Sequence, residues 1–266
     1  MKIVLIIQDE PIFLPVALKR LIGYGINLNY VIKLNSDRSN IIEKIKKHLI
    51  LLGFFDFIKL LFLNFFLNMR DIFLNQYSNL RSIDKICKKN KISKKDLSDI
   101  NSYDSKKLLK SLNPDIIISL SAPQIFDEEL LAIPNIGIIN LHGSYLPSYQ
   151  GLMPSFWQLY NNENELGTTV HEISKRVDAG NIISQVKFSI DKIKTQYSLI
   201  NKSKKIGIFI LKDSIERIKK RKKLDYFKLN NPEQGKYFGW PTSKESKTFR
   251  KQGNNFITFK ELIRNL

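Results

Sequence analysis

The 266-residue chain is poor in cysteine and in acid. Its single cysteine, Cys87, excludes an internal disulfide and fits a reducing compartment, so a cytoplasmic protein is expected. Asp and Glu number 25 against 43 Lys and Arg, which leaves a formal charge of +18. A surface of that sign attracts nucleic acid, anionic lipid or phosphorylated substrates. The chain is also rich in Lys, Ile and Asn, and its basic runs at 44–47, 88–95 and 219–223 are dispersed. A general compositional bias therefore accounts for the charge at least as well as a dedicated binding face. Residues 1–7 are too few for the core of a signal peptide, and Asp9 and Glu10 follow them. No G-x-G-x-x-G comes after this first apolar run, so a dinucleotide site is not supported.

What is present, with 43% apolar residues, is enough for a sizeable core. Residues 1–7 and 30–34 have the character of strands. Between them Phe13, Val16, Ala17, Leu18, Leu21 and Ile22 recur on one helical face. A strand, helix, strand series implies parallel pairing with a right-handed crossover. Residues 115–120, a continuous apolar run after Asn113-Pro114, suit a central parallel strand. Helices are expected over 83–89, 105–112, 128–132, from about 152 to 160, and over 198–223, with a strand near Ile92.

The chemistry concentrates at 136–151, Ile-Gly-Ile-Ile-Asn-Leu-His-Gly-Ser-Tyr-Leu-Pro-Ser-Tyr-Gln-Gly. A short buried strand ends here in Asn140 and His142, whose two-residue spacing sends both side chains to one face. An amide N–H and an imidazole aimed at one point suit the oxyanion of acyl transfer. A carboxylate is then wanted to hold the imidazole and take a proton. Asp178 lies after a second apolar run, 168–174, and before Ala179-Gly180, where a turn can bring it back. On spacing alone the alternative, three unrelated loop residues, stays open.

Residues 140–151 resemble the N-x-H-x-S-x-L-P-x-Y-x-G signature of folate-dependent formyltransferases. Gly167-Thr-Thr-Val-His171 followed by Asp178-Ala-Gly-Asn-Ile-Ile-Ser-Gln185 is similar to the companion signature, in the same order and separation. The resemblance implies that Asn140, His142 and Asp178 are catalytic, that 10-formyltetrahydrofolate is the formyl donor, and that no metal takes part. It implies donor contacts from Pro123, Gln124, Ile125 and Phe126, in the loop after 115–120, and from Val177. It places Ser144 and His171 toward the acceptor, although His171 reads equally as a satisfied strand histidine. The expected fold is α/β, a Rossmann-like doubly wound, mostly parallel sheet. The acceptor implied by the Y-F-x-x-P-T-like 237–242 is the primary amine of a nucleotide-linked amino sugar. Methionyl-tRNA is the second acceptor reading, resting on charge, and the residues beyond 223 are too few for the extra β-barrel by which that enzyme grips tRNA. A non-catalytic membrane-associated binding protein is the reading from another class, against which the intact Asn, His and Asp stand.

Residues 49–69, from Leu49 to Met69, are the unusual stretch. Asp56, Lys59, Asn64 and Asn68 interrupt an otherwise aromatic and leucine-rich helix and disfavour a membrane span. These polar residues fall near one stripe, leaving a broad apolar face to pack on protein, on a second copy in a homodimer, or on a membrane surface. The expected organisation is a catalytic domain over 1–197, carrying a helical insertion at about 41–80, and a C-terminal helix with a short β-hairpin over 198–266.

Overall fold

The computed structural model describes residues 1–35, 41–73, 81–190, 193 and 195–265. Five parallel strands form most of one sheet: β1 (Ile3–Gln8), β2 (Tyr30–Leu34), β3 (Ser93–Leu97), β4 (Ile116–Leu120) and β5 (Gly137–His142). Two further strands, β7 (Glu165–Glu172) and β8 (Ile182–Ser189), extend it antiparallel beyond β5, after the two-residue β6 (Gln150–Gly151). The order β3-β2-β1-β4-β5-β7-β8 reverses direction between β1 and β4. That reversal is the topological switch point, and ligands in such sheets bind beyond the carboxyl ends of the strands. The α/β, doubly wound, mostly parallel sheet is thus the fold expected.

The pleat divides the core. Ile3, Leu5 and Ile7 of β1, with Ile116, Ile118 and Leu120 of β4, point to a layer formed by helices α1 (Leu14–Gly23), α3 (Ile83–Lys89) and α7 (Gln196–Arg221). Val4, Ile6 and Ile117 point the other way, toward α4 (Tyr103–Leu112) and α5 (Glu128–Leu131). Burial on both faces is why these strands read as unbroken apolar runs. Gly207 lets α7 sit close to the sheet: a Cβ there would lie 2.8 Å from Leu141 Cδ1 and 2.9 Å from Thr168 Oγ1.

A third apolar cluster joins α2 (Ile41–Phe73) and α6 (Pro154–Tyr160) to α8 (Ser243–Lys251) and α9 (Phe259–Asn265). The expected boundary at 197/198 therefore needs correction. Ile208, Leu211, Ile215 and Ile218 of α7 belong to the principal core, so this helix is part of the catalytic body. The expected C-terminal hairpin does not form either. Lys228 bridges to Ile182, and β9 (Tyr237–Phe238) pairs in parallel with β6. Each segment finds an open backbone edge on the body, and that edge competes with pairing between the two. The end of the chain is helical instead, with Thr242 and Glu245 forming a reciprocal capping box for α8.

Of the expected insertion at about 41–80, residues 74–80 lie outside the described residues. The helical stretch within 49–69 is there, but Gly53 (φ 74°, ψ 167°) breaks α2 into two. Its polar residues do not share one outward face: Asn68 is exposed, whereas Lys59 and Asn64 are half-buried. Asp56 is buried, accepting the Phe256 N–H at 2.7 Å and pairing with Lys59 at 2.8 Å, because those two donors offset the loss of water.

Gly207→Val should lower unfolding free energy by about 1–3 kcal/mol, since overpacking must push α7 off Leu141 and Thr168. A urea titration followed by circular dichroism checks it, and an unchanged midpoint would show that the helix has room to spare.

Candidate active site

β5 carries Asn140 and His142 to the carboxyl end of the sheet. Its antiparallel register with β7 sets Asn140 opposite His171 and His142 opposite Thr169. Asp178 arrives from the turn between β7 and β8, in the left-handed conformation at φ 51°. Gly180 closes that turn against the Glu172 carbonyl, where a Cβ would collide with backbone. Asn230 donates to the Asp178 carbonyl at 3.0 Å, so the segment after α7 also anchors the turn.

These elements bring four polar side chains together. Asp178 Oδ2 lies 3.5 Å from His142 Nδ1, and Oδ1 lies 3.5 Å from His171 Nε2. The Gly151 N–H donates to Oδ2 at 2.8 Å. Asn140 Nδ2 is 3.1 Å from His171 Nε2, and His171 Nδ1 is 2.7 Å from the Glu172 carbonyl. That carbonyl can only accept, so His171 carries a proton on Nδ1, and Nε2 stands between the Asn140 amide and Asp178 Oδ1. The Asn140 side chain, held by this contact, also lines the cavity. His142 Nε2 is 2.9 Å from the Tyr149 carbonyl, which makes Nε2 a donor and turns Nδ1 toward the carboxylate.

Burial works against the charge on Asp178, but the nearby His142 and His171 imidazoles and the Gly151 N–H outweigh it and hold the carboxyl well below the usual carboxylate range. Separations of 3.5 Å are longer than ordinary hydrogen bonds, and such contacts commonly tighten when substrate is bound.

The cluster forms the floor of a cavity of about 670 Å³, within the range of small-molecule sites. Asn140, His142, His171, Val177 and Asp178 line it. Pro123, Gln124, Ile125 and Phe126 do so as well, with different freedom. Gln124 is committed to backbone, accepting from Ile100 N at 2.8 Å and donating to Ser98 O at 2.7 Å. Phe126 is buried in the core, whereas Ile125 is exposed at the lip. Ser144 is placed elsewhere: it is fully buried and donates to Ser148 O at 2.6 Å, fastening the loop beneath the cavity. This position differs from the expected acceptor contact, because the hydroxyl satisfies the turn at 144–149.

Sequence reasoning missed Glu10 and Lys204 on the cavity wall. The Glu10 carboxylate accepts from the N–H groups of Ile12, Phe13 and Leu14, capping α1, and burial still pushes its carboxyl up. Lys204 donates to Ser121 Oγ at 3.2 Å, and burial pushes its ammonium down. Neither stood out in sequence, since Glu10 sits in a short acidic loop and Lys204 among Lys202 and Lys205. Tyr237 and Trp240, of the 237–242 pattern, line the same cavity.

The formyl transferase family sequence model matches residues 75–215, more than half of the chain. The chain belongs to the formyl transferase family. It is 40% identical over 114 residues to the bifunctional polymyxin resistance protein ArnA of Wigglesworthia glossinidia brevipalpis, a match covering 43% of this chain and 17% of that protein. It is 36% identical over 110 residues to methionyl-tRNA formyltransferase of Clostridioides difficile (strain 630), covering 41% of this chain and 36% of that one. The chain thus spans well under two thirds of these curated relatives. Among solved structures, the N-formyltransferase of Helicobacter canadensis, crystallised with folinic acid and dTDP-3-aminofucose, superposes with a TM-score of 0.60 at 19% identity, covering 98% of this chain and 85% of that one. At that identity the likeness is one of fold.

A carboxyl whose folded pKa is depressed adds stability above its unfolded value near ~3.9 and loses it as pH falls through the folded value. Asp178→Asn should therefore show a shallower loss of stability than the wild type below about pH 4. Denaturant midpoints across the acid range test this, and parallel curves would mean that the two imidazoles do not stabilise the carboxylate.

Proposed function

We propose that this formyl transferase family member moves the formyl group of 10-formyltetrahydrofolate to a primary amine, that of a nucleotide-linked amino sugar. The observation that carries the reading is the meeting of Asn140 and His142, from the end of β5, with Asp178, from a distant turn, on one cavity floor. The donor fits the cavity chemically: Pro123, Ile125 and Val177 give an apolar wall for a flat heterocycle above a polar floor. Bound there, it supplies an electrophilic formyl carbon.

The chain's own residues then have separate tasks. Asn140 turns an N–H toward the oxygen on which negative charge develops as the neutral amine attacks. His142, held beside Asp178, adds positive potential; a direct hydrogen bond from Nε2 requires it to exchange the Tyr149 carbonyl for the oxyanion. Asp178 takes the proton from the attacking nitrogen, directly or through water, and collapse of the adduct leaves the formamide and returns a proton to the departing donor nitrogen. His171 has both ring nitrogens engaged inside the protein, so we assign it to positioning Asn140 and Asp178 and not to the acceptor. The reading goes with a cytoplasmic enzyme, in keeping with Cys87 as a buried free thiol.

The choice of acceptor rests on Tyr237 and Trp240 at the cavity and on a solved neighbour crystallised with a dTDP amino sugar. The competing acceptor is methionyl-tRNA, favoured by the charge and by the relative of that name. A formyl-transfer screen over amino-sugar nucleotides and charged initiator tRNA, read by a formyl mass increase, should give product only with the former. Product with tRNA and steep inhibition by salt would reverse the choice.

Two substitutions test the site itself. His142→Ala and Asp178→Asn should each lower kcat by ~10²-fold or more with native circular dichroism retained. Turnover within a few-fold of wild type would remove these residues from the chemistry.

A further inference from the structure

Helix α2 presents an apolar face that the other described residues leave open. Its inner side is settled: Leu51, Leu52, Leu63 and Leu67 are buried with α8, α9 and α6, and the inward Asp56 carboxylate ties the helix to the Phe256 N–H. The outer side carries Phe54 at 65%, Phe55 at 80%, Phe62 at 54% and Phe65 at 58% exposure. Phe259 and Ile263 of α9, which packs against α2, are exposed as well. An uncovered aromatic surface of this extent marks an interaction site.

Three occupants present themselves, and the structure separates them. Ile45–Met69 is long and apolar enough to cross a bilayer, yet Gly53 breaks it and its inner side closes the third core cluster, so spanning would open the protein. A second copy would bring like charge to like. Over 41–73 and 243–265 there are eleven Lys and Arg against five Asp and Glu. The described acids are already engaged: Glu43 with Lys47, Asp56 inside, Glu245 in its capping box, and Glu261 with Thr258, Thr195 and Ser198. Lys46, Lys47, Lys251 and Lys260 are exposed on these same elements. A two-fold contact would set one basic rim against another. A bilayer with anionic headgroups answers both features, taking the aromatic side chains at its interface and the lysines at its surface charge.

We propose that α2, with α9 beside it, docks this protein on an anionic lipid surface, lying in the interface and not crossing it. Trp240, at the cavity, stacks edge-on with His48 of α2 at 5.5 Å, so the docked face shares a border with the cavity wall. The proposal does not depend on which amine is formylated, and its test needs no turnover.

The full chain would be sedimented with vesicles of phosphatidylcholine alone and with ~30% phosphatidylglycerol. Binding should be at least about tenfold stronger to the anionic vesicles at ~50 mM salt and should fall steeply by ~500 mM. Phe54→Ser/Phe55→Ser/Phe62→Ser and Lys46→Glu/Lys47→Glu should each reduce it by about tenfold or more, with thermal unfolding unchanged because the side chains are exposed. Three results would overturn the proposal: no sedimentation with anionic vesicles, binding indifferent to lipid charge, or a stable dimer in sedimentation velocity that the phenylalanine variant dissociates.

Discussion

Much of this molecule follows from one buried carboxylate. Asp178 stays charged at a position where burial alone would neutralise it, and it does so by standing between two imidazoles with a backbone N–H behind it. None of those partners is local in sequence. His142 must come from the end of a parallel strand, His171 from the antiparallel strand in register beside it, and Gly151 from β6 at the end of the signature. The mixed edge of the sheet is therefore as necessary to the site as its parallel centre.

The same constraint explains the glycines and the chain's last third. Gly151 has a positive φ, and a Cβ there would run into the Phe238 carbonyl and lie 2.6 Å from the Tyr237 ring. Backbone at 150–151 is thus held on one side by Asp178 and on the other by β9. Tyr149 stacks on Phe238 at 5.0 Å, and Trp157 donates to Gly239 O at 3.0 Å. The segment after α7 supports the catalytic turn and walls the cavity, so it is an integral part of the site's scaffold.

What was legible in the sequence was whatever a short period or a local motif encodes. The strands buried on both faces announce themselves as apolar runs, and the helix expected around 83–89 forms over Ile83–Lys89, where Ser82 caps it and Ile83, Ile86 and Cys87 bury one side. The pairing of Asn140 with His142 followed from strand alternation, whereas joining Asp178 to them needed a resemblance, since a turn's direction is not written in its composition. The failures are tertiary. Asp56 reads as a polar interruption, and the N–H of Phe256, 200 residues away, joins Lys59 in making its burial sensible. The helices α8 and α9 are not among the expected elements although Thr242 with Glu245 and Thr258 with Glu261 are local capping signals; the expectation for this part of the chain stops at a short β-hairpin.

Backbone strain points to the same place by a separate route. Eight non-glycine residues among those described have positive φ, and Ser121, Met153 and Asp178 of these line the cavity, while Tyr149 offers its carbonyl to His142. Such conformations persist only where surroundings over-determine them, and they gather where a site needs a geometry that relaxed chain would not adopt. Ser121 turns the chain out of β4 at the cavity, Met153 turns it into α6, and Asp178 and Tyr149 set the two partners of His142. Half of the strained positions thus serve one imidazole and the space above it, which is the arrangement expected if evolution has kept unfavourable backbone for the sake of chemistry and not for the sake of the fold.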